Sequence, residues 1–335
     1  MQSVTYCGAK WYLGGAIDTG NDQSYPALWS SPDTRHWHTE PITAHTYYGQ
    51  RALLTSLGCR NGRLAAIGAK PGGAHGNPRV TSWWQRGDTT LVDVDAPFEL
   101  FGGPSAVNVG PVHGGPNGWL IAGNRTGGPA VWVATDPRTF TLIDHAPHLA
   151  DGDGWTGLAQ DVTWDGDRWV LVGGGGYRTH LHQQPLAWTS TDGHHWTREP
   201  VPGSTEFADL QRVVAQPGGA IAVGLRDNTF GAWRRTPTGW TETGTFGRQS
   251  PTGTTSARVL SLTVAGSHLA AAVSDGSTLA LWTSPDATTW TQLTLPTNVT
   301  AGGGRSIHVH GSGDTLLLTI SDATTSTIWS TQTLP

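Results

Sequence analysis

The stretch SVTYCGAKWYLGG, residues 3–15, decides the fold once it is laid against DVTWDGDRWVLVG, residues 161–173, because the two align without a gap. Each is an apolar alternating segment, a Gly-containing turn and a second apolar segment, which is the pattern of an antiparallel hairpin. A second element follows: ALWSSPDTRHWHTEP at 27–41, LAWTSTDGHHWTREP at 186–200 and LALWTSPDATTWTQLTLP at 279–296, with weaker copies at 130–147 and 231–244. Its marked aromatic is Trp29, then Trp83 or Trp84, then Trp132, Trp188, Trp233, Trp282 and Trp329, seven units spaced by 45 to 56 residues. Four short strands per unit at this period is the pattern of a propeller blade. The expectation is an all-β, seven-bladed β-propeller with four-stranded antiparallel blades at about 1–43, 44–96, 97–146, 147–201, 202–245, 246–296 and 297–335. The tail TQTLP leaves room only for a shortened outer strand in the last blade.

Composition agrees. Of 335 residues, 46 are Gly and 21 Pro, which excludes long helices. A net charge of −5 with 20 Lys plus Arg lacks the basic stripe of a phosphate-backbone binder, so nucleic acid is not an expected partner. No apolar run approaches the ~20 residues that span a bilayer, so no membrane insertion is expected, and the chain is read as a monomer.

Three turns, SPDTRHW (31–37), STDGHHW (190–196) and SPDATTW (284–290), resemble the Asp-box repeats of sialidases and other BNR-type propellers. Ser and Asp there bond backbone N–H groups across the turn while the Trp packs between blades. The resemblance implies that Asp33, Asp192 and Asp286 are structural and lie on the face opposite the functional one. It does not extend to chemistry: the family's Arg-Ile-Pro motif is missing, and Glu is scarce.

Turns between strands one and two, and three and four, then face the bottom, while the second-to-third loops and the blade connections face the top. The long top segments are 16–26, 43–51, 69–79, 95–105, 145–159, 175–185 and 202–211. On them, Trp155 is the one Trp read as lying outside blade register; it is a sugar-stacking platform or else a blade cap. Arg51, Arg212, Arg258 and Arg305 fall near the starts of inner strands, as anion contacts or as blade-to-blade ion pairs. His45 and His182, with His75, His145, His148 and His180, complete the polar set, and His308 and His310 share one side of an inner strand. No zinc spacing occurs, and the D-x-D of Asp151 and Asp153 is an incomplete calcium loop, so no metal or cofactor is expected. Hydrolysis would need paired carboxylates, for which Glu206 and Asp209 with Asp18, Asp22 or Asp153 are candidates; a lyase would use Tyr47 or Tyr48 with a His.

Cys7 and Cys59 occupy neighbouring first-to-second turns, as a disulfide or as two buried thiols. Eighteen Arg against two Lys is the bias of a high-GC bacterium. A secreted or cell-envelope location fits, with any leader absent from this chain and a cytoplasmic one left open. The expected function is binding of a glycan or small anionic ligand on the top face; the alternatives are a glycoside hydrolase or polysaccharide lyase, and a protein-interaction scaffold.

Overall fold

Gly, Asn and Asp turns every few residues leave each apolar segment only its immediate neighbour to pair with, so the chain folds into consecutive antiparallel sheets. The computed structural model describes residues 1–20, 23–70, 78–152, 154–177, 182–204, 206–322, 325–332 and 334. Seven sheets result, the seven-bladed β-propeller that the repeat predicts. Residues Met1–Ile143 form one compact unit of three sheets and Asp144–Pro335 a second of four.

The two hairpins that set the register are superimposable in pairing. Tyr6 faces Trp11 and Trp164 faces Trp169, each as an edge-to-face ring pair, with centroids 5.2 and 5.5 Å apart. Trp83, rather than Trp84, is the repeat equivalent. It pairs with Ala66 one step below the inner-strand bulge, as Trp188 pairs with Leu171 and Trp233 with Ala222. Trp132, Trp188 and Trp233 are fully buried and donate from Nε1 to the Leu100, His148 and Pro202 carbonyls, so each ties its blade to the connection entering it.

A second repeated device has no Trp in it. A polar side chain on one inner strand accepts a backbone N–H from the next: Ser3 from Leu57, Ser56 from Val112, Asp161 from Val213, Gln211 from Val259 and Ser261 from Val309, all at 2.7–3.0 Å. Four of the five donors, Leu57, Val112, Val213 and Val259, lie at or beside an inner-strand bulge where sheet pairing is interrupted, and these side chains satisfy amides that would otherwise be buried unpaired. In the three S-x-D turns, the Asp33, Asp192 and Asp286 carboxylates each accept two backbone N–H groups at 2.8–2.9 Å, and the following Trp closes the loop from Nε1. Trp290 then stacks on Phe246 of the preceding blade, centroids 4.3 Å apart.

Three expectations need correction. Trp155 is inside the register: it opens the inner strand Trp155–Trp164 and pairs with Tyr177, because residues 155–159 continue the strand past its bulge. Arg212 lies mid-strand in Ala208–Gln216, not at its start. The last sheet has three strands among the described residues, ending at Ser326–Thr331, while the second blade has five, since Ile42–Thr43 adds in parallel to Thr90–Asp93.

Candidate functional site

That added strand builds the site. Ile42–Thr43 runs up the outer edge of blade 2 and delivers residues 45–48 to its top, where the buried Asp93 carboxylate holds them. Asp93 accepts the His45 and Thr46 backbone N–H groups at 2.9 Å and the Thr46 hydroxyl at 2.7 Å, and His45 Nδ1 lies 3.2 Å away. Burial alone would raise this carboxyl, but the four bonds outweigh it and hold it below its usual range. Gly49 packs so closely on Asp93 and Thr46 that a Cβ there would overlap both. The clamp sets Tyr48 at the head of the 3-10 turn Gly49–Arg51.

Across from it, the short helix Phe98–Phe101 follows Pro97, and Arg79 opens the third strand Arg79–Arg86. Thr46, Tyr48, Arg79, Asp95, Phe98 and Phe101 line a pocket of about 210 Å³ between them. Phe98 and Tyr48 remain 50% and 39% exposed, open to whatever enters. The Arg79 guanidinium sits 4.7 Å from the Phe98 ring centroid and 5.9 Å from that of Tyr48. It makes no hydrogen bond or ion pair among the described residues, and its Nε is buried without a partner. A cation packed against rings, with no carboxylate in bonding range among the described residues, has donors left for an anion.

Of the expected residues, Tyr48 and His45 belong to this assembly, and Arg51 adjoins it through Tyr47. Asp18 ends the blade 1 strand Lys10–Asp18, while Trp155, His182, Glu206, Asp209, Arg212, Arg258 and Arg305 lie in the second unit. Trp155 has Arg198 4.3 Å over its ring and Tyr177 against its edge, so one stacking face is covered. It stands at the opposite end of blade 4 from Asp192, as the strand order requires. His182 Nδ1 is 3.2 Å from the exposed Glu206's carbonyl at that same end.

Asp209 is buried and bonded by Gln211 and the Leu225 N–H, and burial pushes its carboxyl up. Arg212 spends Nε and Nη1 on the Leu260 and Gln211 carbonyls, at 2.9 and 2.6 Å, so it braces blade 5 against blade 6. Arg258 and Arg305 are exposed. His308 has its Nε2 buried without a partner, and burial with the Arg212 charge pushes its imidazole down to about 4. Asp22, His75, Asp153 and His180 fall outside the described residues. No cluster of three metal-ligating side chains occurs among the described residues.

A larger hollow of about 360 Å³ lies at the lower ends of blades 4 and 5, beside Asp165, Arg168 and Arg235. Its charges are already matched: Arg235 bonds Glu199 at 2.7 and 2.8 Å and Asp165 at 2.9 Å, and Arg168 pairs with Asp167. Volume therefore favours the lower hollow, but unspent bonding capacity favours the upper pocket. Sorting loops by strand order pointed to top loops and named Tyr48. It missed Arg79 and Phe98, since only inner-strand arginines were compared and an isolated Phe has no repeat partner.

No family model and no curated protein matches the chain. Among solved structures, it is similar to a protein from Lactobacillus plantarum (13% identity, TM-score 0.57, 96% of this chain and 95% of that one). The periplasmic gluconolactonase of Pseudomonas aeruginosa gives 11% identity and a TM-score of 0.55 over 96% and 95%. An α-L-arabinanase of Penicillium chrysogenum, complexed with arabinobiose, gives 12% and 0.51 over 87% and 96%. At these identities the likeness is one of fold.

Proposed function

We propose that the protein is a binding propeller for a carboxylate-bearing sugar, held at the top of blade 2. The observation that carries the reading is Arg79, ring-packed and unpaired at a pocket with two exposed aromatic walls. A guanidinium takes a carboxylate through parallel N–H bonds, and Tyr48 and Phe98 offer apolar faces to a pyranose ring. Asp95, on the same wall, is an acceptor for sugar hydroxyls. The carbohydrate ligand of the arabinanase and the lactonase's name support the ligand class through shared fold. The Cys7–Cys59 disulfide supports a secreted or cell-envelope setting, where thiols are oxidised.

Titration calorimetry with galacturonate and glucuronate beside galactose and glucose tests this. The uronates should bind at least about tenfold more tightly than the neutral sugars, a difference of ~1.4 kcal/mol, and Arg79→Ala should erase the preference. Equal binding of both classes, or an Arg79→Ala variant that keeps the preference, overturns it. Release of reducing ends or unsaturated products from pectin would show an enzyme instead.

A further inference from the structure

The pocket is not the end of the aromatic surface. Tyr47 and Tyr48 are consecutive, and their rings meet edge to face with centroids 5.2 Å apart. Each carries its own arginine: Arg51 lies 4.1 Å over Tyr47, and Arg79 5.9 Å from Tyr48. Arg51 donates from Nη1 to the Tyr47 carbonyl at 3.3 Å and has no carboxylate partner among the described residues. Tyr47 is 59% exposed. Beyond it, the Ser24 hydroxyl reaches the Arg51 carbonyl at 3.4 Å, which brings the exposed Tyr25 of blade 1 to the same end. The pattern of ring, arginine and accessible face therefore occurs twice in succession, once within the pocket and once outside it.

Two cations on adjoining rings, neither with a carboxylate partner among the described residues, each gain from an anion, and one carboxylate in the pocket leaves the second arginine unmatched. The ring-to-ring and ring-to-cation contacts above place both guanidiniums within the span of a di- or trisaccharide. We infer that the site has two subsites in series, Arg79 with Phe98 and Tyr48, then Arg51 with Tyr47, and that its ligand is an acidic oligosaccharide with charge on more than one residue. The inference rests on the reading of the blade 2 pocket as a uronate site. It adds direction and length: the chain runs from the pocket toward blade 1, and affinity grows with the number of anionic residues until both subsites fill.

The probes are galacturonic acid, its dimer and its trimer, titrated into the full chain by calorimetry, with neutral galactan oligomers as controls. The trimer should bind at least about tenfold more tightly than the monomer, and Arg51→Ala should cut that ratio to about threefold or less. Circular dichroism and melting of Arg51→Ala check that the fold survives, and Arg51→Gln, which keeps the stem over Tyr47, gives the same reading without the packing loss. Equal affinities for monomer and trimer overturn the second subsite and leave the pocket intact. An Arg51→Ala protein that keeps the full ratio also overturns it. Binding of none of the three would sink the pocket reading and this inference together.

Discussion

At the residue scale, the candidate site hangs on Asp93, a carboxylate spent on the chain's own His45 and Thr46. Its four bonds form a bracket that fixes residues 45 and 46, and through them the ring of Tyr48. Because its carboxyl is held below the unfolded value of about 3.9, the bracket's stability is complete above that pH and is lost as pH falls through the lowered folded value. Ligand affinity should therefore stay level with respect to this group from pH 7 through about pH 4 and fall only as pH drops through the lowered folded value. Asp93→Asn should weaken uronate binding at pH 7 by roughly tenfold, since the amide keeps the shape but accepts fewer N–H groups. Calorimetry across pH on the native protein and the variant checks both, and a variant that binds as the native does would show that the bracket is dispensable. Tyr48 was legible from sequence because it lies on a long top segment. Asp93 was not, since its role depends on a strand addition that no periodicity announces.

At the element scale, neighbouring blades are joined by polar side chains as much as by apolar packing. The clearest joint is at the lower end of blades 4 and 5, where Arg235 bridges Glu199 and Asp165 while Trp240 donates to Glu199 at 2.9 Å. Arg235 and the Asp165 side chain are under 10% exposed, so removal of the cation leaves two shielded carboxylates without a counter-charge, held only by neutral donors such as the Trp240 indole and the Asp167 and Arg168 N–H groups. Arg235→Ala should cost about 3–5 kcal/mol, whereas Glu199→Gln, which keeps bonding with less charge, should cost less. Urea denaturation of both variants measures this; an Arg235→Ala loss below about 1 kcal/mol would make the joint ornamental. The sequence reading did allow arginines as blade-to-blade ion pairs, but for inner-strand positions. The observed pair is on the third strand, because antiparallel strands place Arg235 at the lower end beside the outer strand of the preceding blade.

At the scale of the whole molecule, repetition is the source of stability and variation the source of function. The Cys7–Cys59 disulfide, with Cα atoms 5.5 Å apart, ties the first two inner strands at their lower ends within the first unit. Closing a loop of this length contributes about 2–4 kcal/mol. Reduction, or a Cys7→Ser and Cys59→Ser double change, should lower the melting temperature by several degrees and leave uronate affinity near native, since the bond lies at the end of blade 2 away from Arg79. Differential scanning calorimetry with and without a thiol reductant, paired with calorimetric titration, checks this; an unchanged melting temperature would remove the bond from the stability account.

Sequence by itself determined the number of blades, the hairpin register and the turns. These depend on contacts between near neighbours, and a repeated apolar pattern with Gly and Asp punctuation encodes them locally: Tyr6 with Trp11 and Trp164 with Trp169 could be read from two aligned lines. Tertiary structure decided the site. Arg79, Asp93 and Phe98 come from three separate segments, and each is unremarkable where it stands in the chain. Only the parallel addition of Ile42–Thr43 and the short helix after Pro97 bring them together, and that meeting leaves one guanidinium among rings with no ion-pair partner among the described residues. Repeats announce themselves because the same physics acts seven times; the blade 2 pocket lies where the repeats differ.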